Sequence, residues 1–332
     1  MMNRTGIGVI GLGLWGETII ETLLGIREAR VTAVCSRSIT RSKEISEKFS
    51  IDDYYDDYEK LVNDPYVQIV VVATEEHRHV EPTLAAIRAG KHVFLEKPIA
   101  TTLNDADKII NAANKSNIKI MVGHIFRFDG RHSRVKELVD SGKLGNIASI
   151  FAKHNVVIKN YDIYKRVPLT MVSSIHEFDL ACWYLNDQPS EIHCFANNAL
   201  GNDEPDSYWI SVKFKKGVVA AFQTVWLISE AAPVWLDVSV EVIGTKGYVE
   251  VDNRNQGMQI WTAEGAKYPM YAMLPELRGM PYGSLRNELE YFIGCVMDNS
   301  PIEVITLEES REALRIAVLA EESLKTGKVI KA

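Results

Sequence analysis

Three short segments of this sequence carry residue types whose spacing suits chemistry. The first is Gly11-Leu12-Gly13-Leu14-Trp15-Gly16. Glycines at its first, third and sixth positions let the chain turn tightly, bring backbone up to a phosphate and pack the next helix closely on a strand. The free N–H groups and positive dipole end of that helix would then meet the pyrophosphate of a dinucleotide, with Leu14 and Trp15 in the same loop. Such a motif is weak evidence alone. Here it sits between a short apolar strand, residues 7–10, and a segment with helical spacing, residues 14–26, which is the context that gives it meaning.

The second segment is Glu96-Lys97-Pro98, directly after the strand-like run 92–95. It falls at a carboxyl end of the predicted sheet, where ligands of open α/β folds bind. A lysine there suits holding a substrate hydroxyl and stabilising an alkoxide. The Lys97-Pro98 bond is also one where a cis peptide costs little. The third segment is Ser173-Ser174-Ile175-His176-Glu177-Phe178-Asp179. His176 and Asp179 are three apart and share a helix face, so the carboxylate can orient the imidazole or bind a second hydroxyl. Histidine suits taking an alcohol's proton at neutral pH as hydride leaves. Glu177 is expected to point away. Taken singly, a surface-loop lysine and a packed histidine are the plainer readings of Lys97 and His176.

The end of the second strand selects among dinucleotides. An acidic residue there favours NAD by binding the ribose 2′-hydroxyl. This chain has Cys35-Ser36-Arg37-Ser38, with Arg41 one turn later. A hydroxyl and two guanidiniums suit a 2′-phosphate, so Ser36, Arg37 and Arg41 favour NADP(H), with NAD(H) possible and surface cations as the bland alternative. No metal site is expected: His77 and His79 lack a third partner by spacing.

These residues need elements to hold them. Strand and helix patterns alternate over about 120 residues, including the unbroken apolar run Ile69 to Ala73, and predict a doubly wound parallel sheet. Beyond residues 122–125 the pattern changes to longer, alternating strand-like runs: 147–157, 191–197, 207–214, 218–228, 234–243 and 248–251. These predict a large, mainly antiparallel sheet with one inserted helix near 174–185 and two closing helices. The fold class is therefore α/β, with an NAD(P)-binding Rossmann domain at 1–123 and a substrate-binding and oligomerisation domain at 124–332. At 332 residues two domains are the natural number, and a net charge of −7 lacks the basic footprint of a nucleic-acid binder. No apolar run reaches membrane-spanning length, no signal-peptide layout opens the chain, and four scattered cysteines fit a reducing cytoplasm.

Gly11 to Gly16, the stretch Gly90-Lys91-His92-Val93-Phe94-Leu95-Glu96-Lys97-Pro98, Gly123-His124-x-x-Arg127-Phe128, Gly142 to Ile147 and a helix bearing His176 and Asp179 together resemble the Gfo/Idh/MocA oxidoreductases, the glucose-fructose oxidoreductase and inositol dehydrogenase group. The similarity covers nearly the whole chain. It implies reversible NAD(P)-dependent oxidation of a secondary alcohol on a sugar, cyclitol or related polyol, and a C-terminal sheet that forms a homodimer or homotetramer. It makes Lys97 the active-site lysine and His176 the acid/base, with Thr74, His79 and Glu96 toward the cofactor. Two departures stand out. Val172 replaces an aspartate common four residues before the histidine, and Glu75-Glu76 replace the usual Pro-Asn. An NAD-dependent glycosidase and a non-catalytic NAD(P)-binding regulator are the alternative readings. Arg127, His154, Tyr161, Tyr164, Arg166 and Tyr282 lie in segments suited to lining a cleft.

Overall fold

The computed structural model describes residues 4–332, other than 165, 203, 255, 264, 270, 271 and 278 and the side chain of Asp162. The chain opens with β1 (Thr5–Ile10), α1 (Leu14–Leu24), β2 (Ala29–Cys35), α2 (Ile39–Phe49), β3 (Asp53–Tyr55), α3 (Tyr58–Val62), β4 (Ile69–Val72), α4 (Val80–Arg88), β5 (His92–Glu96), α5 (Leu103–Ala113) and β6 (Ile120–Gly123). The six strands form one sheet in the order β3-β2-β1-β4-β5-β6, every pairing parallel. Helices on both faces of such a sheet leave its central strands no solvent side. That is why β1 and β4 are buried at every position and β4 reads Ile-Val-Val-Val. The order reverses beside β1, which puts the turn after β1 at the crevice where ligands of this topology bind. Helix ends follow local rules: the Thr102 side chain accepts from Asp105 N–H at the start of α5, and Gly90 takes a positive φ of 71° just past α4.

The chain continues with α6 (Gly130–Asp140), β7 (Ile147–Val157), α7 (Tyr161–Tyr164), α8 (Leu169–Val172), α9 (Ile175–Leu185), β8 (Pro189–Asn197), β9 (Ser207–Phe214), β10 (Val219–Ile228), β11 (Leu236–Gly244) and β12 (Gly247–Asp252). With the terminal strand Ile330–Lys331 these form a seven-stranded sheet, β12-β11-β7-β10-β9-β8 followed by that strand. Its pairings are antiparallel except β7 with β10, which run parallel. One face is packed and one is open. Along β9, Tyr208, Ile210, Val212 and Phe214 are buried while Trp209, Ser211 and Lys213 are exposed. The buried face meets α9, where Phe178 stands edge-on to Phe222 with ring centres 4.9 Å apart. On the other face Phe151 stacks against Trp209.

Two small hairpins follow, β13 (Ile260–Thr262) with β14 (Gly265–Lys267) and β15 (Glu276–Leu277) with β16 (Met280–Pro281), then α10 (Ser284–Met297) and α11 (Leu307–Thr326). Residues 273–311 belong to the compact unit that contains everything up to residue 128; residues 129–272 and 312–332 form the other unit. The division thus differs from a single cut at 123/124. The cause is the apolar stripe of α10. Leu285, Leu289, Phe292 and Ile293 are buried, Phe292 packs on Phe94 of β5 at 5.9 Å, and Tyr291 packs on Phe128 at 5.5 Å. Arg311 adds a two-bond contact to Asp107 of α5 at 2.6 and 3.0 Å. Among the described residues no helix is long and apolar enough to cross a membrane.

Candidate functional site

The fingerprint glycines are needed for three different reasons. Gly11 has a φ of +100°, and a Cβ there would lie 2.3 Å from the Ala73 carbonyl oxygen. At Gly16 a Cβ would lie 2.0 Å from the Gly11 carbonyl oxygen, so the third glycine lets α1 sit on the turn. At Gly13 a Cβ would meet no protein atom within 4 Å. The fold itself does not require that glycine, whereas an approaching phosphate would. Gly13 is also the N-cap of α1 and supplies no side-chain cap, so the helix start keeps donors for an anion. Leu14 is 69% exposed at that start. Trp15 instead turns toward β5 and donates its indole N–H to Glu96 Oε1 at 2.7 Å.

At the end of β2, the Ser36 backbone N–H donates to Ser42 Oγ, and Ser38 caps α2 by accepting from Arg41 N–H. Arg37 is largely exposed, with Glu75 3.5 Å from its guanidinium. Arg41 is committed elsewhere. Its Nε and Nη2 donate to the Leu12 carbonyl at 3.2 Å, and it pairs with Glu17 of α1. Of the two arginines predicted to meet a 2′-phosphate, Arg41 thus braces the fingerprint loop, and Arg37 is the more available.

Glu96, at the end of β5, is 6% exposed. Burial raises its carboxyl to about 7, against the opposing pull of the Trp15 hydrogen bond and the Lys97 charge. Its Oε2 accepts the Lys97 backbone N–H at 3.3 Å, and the Lys97-Pro98 peptide is cis. His79 is 1% exposed. Its Nδ1 lies 2.7 Å from the Pro98 carbonyl oxygen and its Nε2 3.1 Å from that of Thr74. Burial lowers its pKa, against the two carbonyl contacts, which favour the protonated ring. His79 therefore ties the loop after β4 to the loop carrying Lys97, rather than presenting its own ring outward. Thr74 is half-buried beside it.

In the second unit, His176 and Asp179 lie one turn apart on α9, 9% and 1% exposed. Ser173 precedes the helix; its carbonyl accepts the His176 N–H at 3.1 Å and its Oγ accepts the Trp226 indole N–H at 2.9 Å. The ring stacked on His176 is that of His154 from β7, with centres 5.7 Å apart and planes 11° apart. His154 Nδ1 in turn lies 2.9 Å from Glu177 Oε1. Glu177 points off the His176 face and into the protein, where it is 2% exposed. The signal was present in the sequence. The run Ile-His-Glu-Phe-Asp-Leu-Ala-Cys-Trp-Tyr-Leu is apolar on nearly all sides, and such a helix is buried all round.

Comparison with known proteins adds to this geometry. Residues 5–124 match a family model described as the oxidoreductase family, NAD-binding Rossmann fold, of Gfo/Idh/MocA, and residues 132–250 match the C-terminal domain model of the same family. The chain belongs to the Gfo/Idh/MocA oxidoreductase family. A myo-inositol 2-dehydrogenase of Thermotoga maritima is 29% identical over 98% of each chain, and a 1,5-anhydro-D-fructose reductase of Ensifer adhaerens is 29% identical over 74% of each. The crystal structure of a scyllo-inositol dehydrogenase from Lactobacillus casei, solved with bound NAD(H) and scyllo-inositol, superposes with a TM-score of 0.84 over 99% of each chain at 19% identity, a likeness of fold.

Within this family member, Val172 is buried at the end of α8 and brings no carboxylate. Glu75 takes up Arg78 at 3.0 Å, and Glu76 is buried. Several cleft candidates have structural work instead. Arg127 has a fully buried side chain that donates to the Val304 carbonyl at 2.7 Å and faces Glu309. Tyr161 donates to the Glu204 carbonyl, while Tyr164 packs edge-on to Trp226 beneath the Arg166 guanidinium. Tyr282 stays partly exposed under Arg286. Among the described residues no group of three or more His, Cys, Asp or Glu is placed to hold a metal ion.

Proposed function

We propose that this oxidoreductase interconverts a secondary alcohol and a ketone on a cyclitol, sugar or related polyol, with NADP(H) preferred over NAD(H). The observation that carries the reading is Lys97 at the carboxyl end of β5, next to Glu96, which Trp15 of the fingerprint loop holds by a hydrogen bond. Gly11 to Gly16 would hold the pyrophosphate, Ser36 and Arg37 a 2′-phosphate, and the loops tied by His79 the nicotinamide side. The nicotinamide, when bound, supplies the hydride acceptor or donor.

Oxidation of a secondary alcohol removes a hydride from carbon and a proton from oxygen. In this reading Lys97, as an ammonium, donates a hydrogen bond to the reacting oxygen and stabilises its developing negative charge. His176 takes the hydroxyl proton and returns it in the reverse direction. Asp179 orients His176 or a second substrate hydroxyl. The inositol and anhydrofructose names of the relatives support a neutral, polyhydroxylated substrate. The aromatic outer face of the second sheet, with Phe195 66% and Trp209 47% exposed, supports its use in a homodimer or homotetramer. Four buried cysteines support a cytoplasmic setting.

The test is a screen of cyclitols, sugars and sugar acids with both cofactors, followed at the nicotinamide absorbance, for wild type and Lys97→Ala. Turnover of a polyol that Lys97→Ala abolishes, with cofactor binding retained, is the expected result. Unchanged turnover in Lys97→Ala would overturn the assignment.

A further inference from the structure

The carboxylate that Val172 does not supply has a counterpart one residue beyond His176. Neighbouring side chains on a helix diverge by about 100°, so Glu177 cannot lie against the His176 ring itself. It reaches β7 instead. Its Oε1 stands 2.9 Å from His154 Nδ1, and the His154 ring lies nearly parallel to that of His176, 11° apart in plane. The path runs from α9 to β7 and back to α9, closing on the residue next to its start.

Each link of this path is fixed. His154 sits in the middle of the sheet, opposite Thr224 of β10 and Val238 of β11. Its carbonyl accepts the Thr224 hydroxyl at 2.7 Å. Donation from Nδ1–H to a carboxylate sets the His154 tautomer and locks its second torsion, as in the carboxylate–histidine pairs that orient metal ligands. Glu177 is 2% exposed, and its Oε2 has no hydrogen-bond partner among the described residues. A buried carboxylate held by one partner is a costly way to fill space on a helix that is otherwise largely apolar. A leucine would pack there without that cost.

We propose that Glu177 and His154 are positioning residues, a hydrogen-bonded platform that fixes the ring plane of His176 for proton transfer. This rests on the reading of His176 as the acid/base. Flatness is the property that matters: an imidazole with its own orientation locked admits its neighbour in one plane, whereas an aliphatic chain lets the neighbour tilt. A base misplaced by about 1 Å can lose on the order of 100-fold in rate without losing substrate affinity.

The test uses the whole 332-residue chain with myo-inositol and with the polyol of highest kcat/KM from the screen. Glu177→Gln keeps an acceptor for Nδ1–H and should retain kcat within roughly threefold. His154→Gln keeps an amide donor for Glu177 but removes the ring; it should lower kcat about 10- to 100-fold with KM nearly unchanged. Glu177→Leu should behave like His154→Gln. In 15N-histidine-labelled protein without cofactor, both damaging variants should shift the ring resonances of His176, and Glu177→Gln should not. Wild-type kcat in His154→Gln, equal damage in Glu177→Gln and Glu177→Leu, or unmoved His176 resonances in His154→Gln would each overturn the platform. If Glu177→Leu does not fold, His154→Gln decides. His176→Ala separates the two readings. Retained turnover there removes His176 as the base, while the His176 resonances of the His154→Gln protein still report on the platform; lost turnover there with wild-type kcat in His154→Gln removes the platform alone.

Discussion

The indole N–H of Trp15 donates to the buried carboxyl of Glu96 across 2.7 Å, joining the fingerprint to the strand that Lys97 directly follows. Residues 81 positions apart in sequence are thereby held together at the carboxyl edge of one sheet.

The carboxyl of Glu96 should leave a mark on stability. Its ordinary value of 4.5 is raised to about 7, with burial the largest cause. The folded state therefore binds this proton more tightly than the unfolded chain. The resulting stability is fully present below pH 4.5 and is lost as pH rises through about 7. That gap corresponds to roughly 3 kcal/mol. Glu96→Gln keeps an acceptor for Trp15 and removes the titration. Thermal unfolding of the two proteins at pH 5 and pH 8 should show the variant gaining on wild type at the higher pH; a constant difference between them would show that Glu96 does not titrate this way.

Cofactor choice should separate the two arginines after β2. Arg37 is largely exposed, so Arg37→Ala should weaken NADP(H) about 10- to 100-fold and leave NAD(H) nearly unchanged, the loss expected for one charged hydrogen-bonding partner of a phosphate. Arg41 braces the Leu12 carbonyl and Glu17. Arg41→Ala should therefore weaken both cofactors alike. Titration by quenching of tryptophan fluorescence measures all four affinities. An Arg41→Ala variant that loses NADP(H) alone would return Arg41 to the phosphate site.

The glycines of the fingerprint predict opposite failures. Gly16→Ala places a Cβ 2.0 Å from the Gly11 carbonyl oxygen and should lower the melting temperature by several degrees, on the order of 2 kcal/mol. Gly13→Ala meets no protein atom within 4 Å. It should melt like wild type, or slightly higher, and bind cofactor at least about 10-fold more weakly. Calorimetry and a binding titration on each variant check this. Wild-type cofactor affinity in Gly13→Ala would mean that no phosphate approaches there.

Much of this was legible from residue patterns, and the misses have physical causes. Ile-Val-Val-Val could only be a strand covered on both faces, and the alternation in β9 could only be a sheet open on one. The apolar stripe of α10 showed that the helix is buried but not what buries it, because periodicity carries no address; Phe94 and Phe128 are that address. Arg41 read as a phosphate ligand because its reach to Leu12 and Glu17 depends on how α1 and α2 flank β1 and β2, which spacing does not encode. Spacing placed Glu177 off the His176 face but did not show its burial, which follows from the apolar composition of α9 around it.

Acid should act on the second unit through His132, with a sign opposite to that of Glu96. His132 on α6 is 2% exposed, and its Nδ1 lies 2.7 Å from the Tyr184 hydroxyl on α9. Burial lowers it from 6.5 to about 4, against the attraction of Asp129. The folded state holds the neutral ring, so this contribution is present above pH 6.5 and is lost as pH falls through about 4. The gap is again worth roughly 3 kcal/mol. His132→Gln keeps a partner for Tyr184 without a titrating ring. Its cost should be largest at neutral pH and shrink toward pH 4, so denaturant midpoints of wild type and variant should converge on acidification. Midpoints that stay parallel from pH 7 to pH 4 would mean that His132 charges within the folded protein, and that its bond to Tyr184 does not depend on the neutral ring.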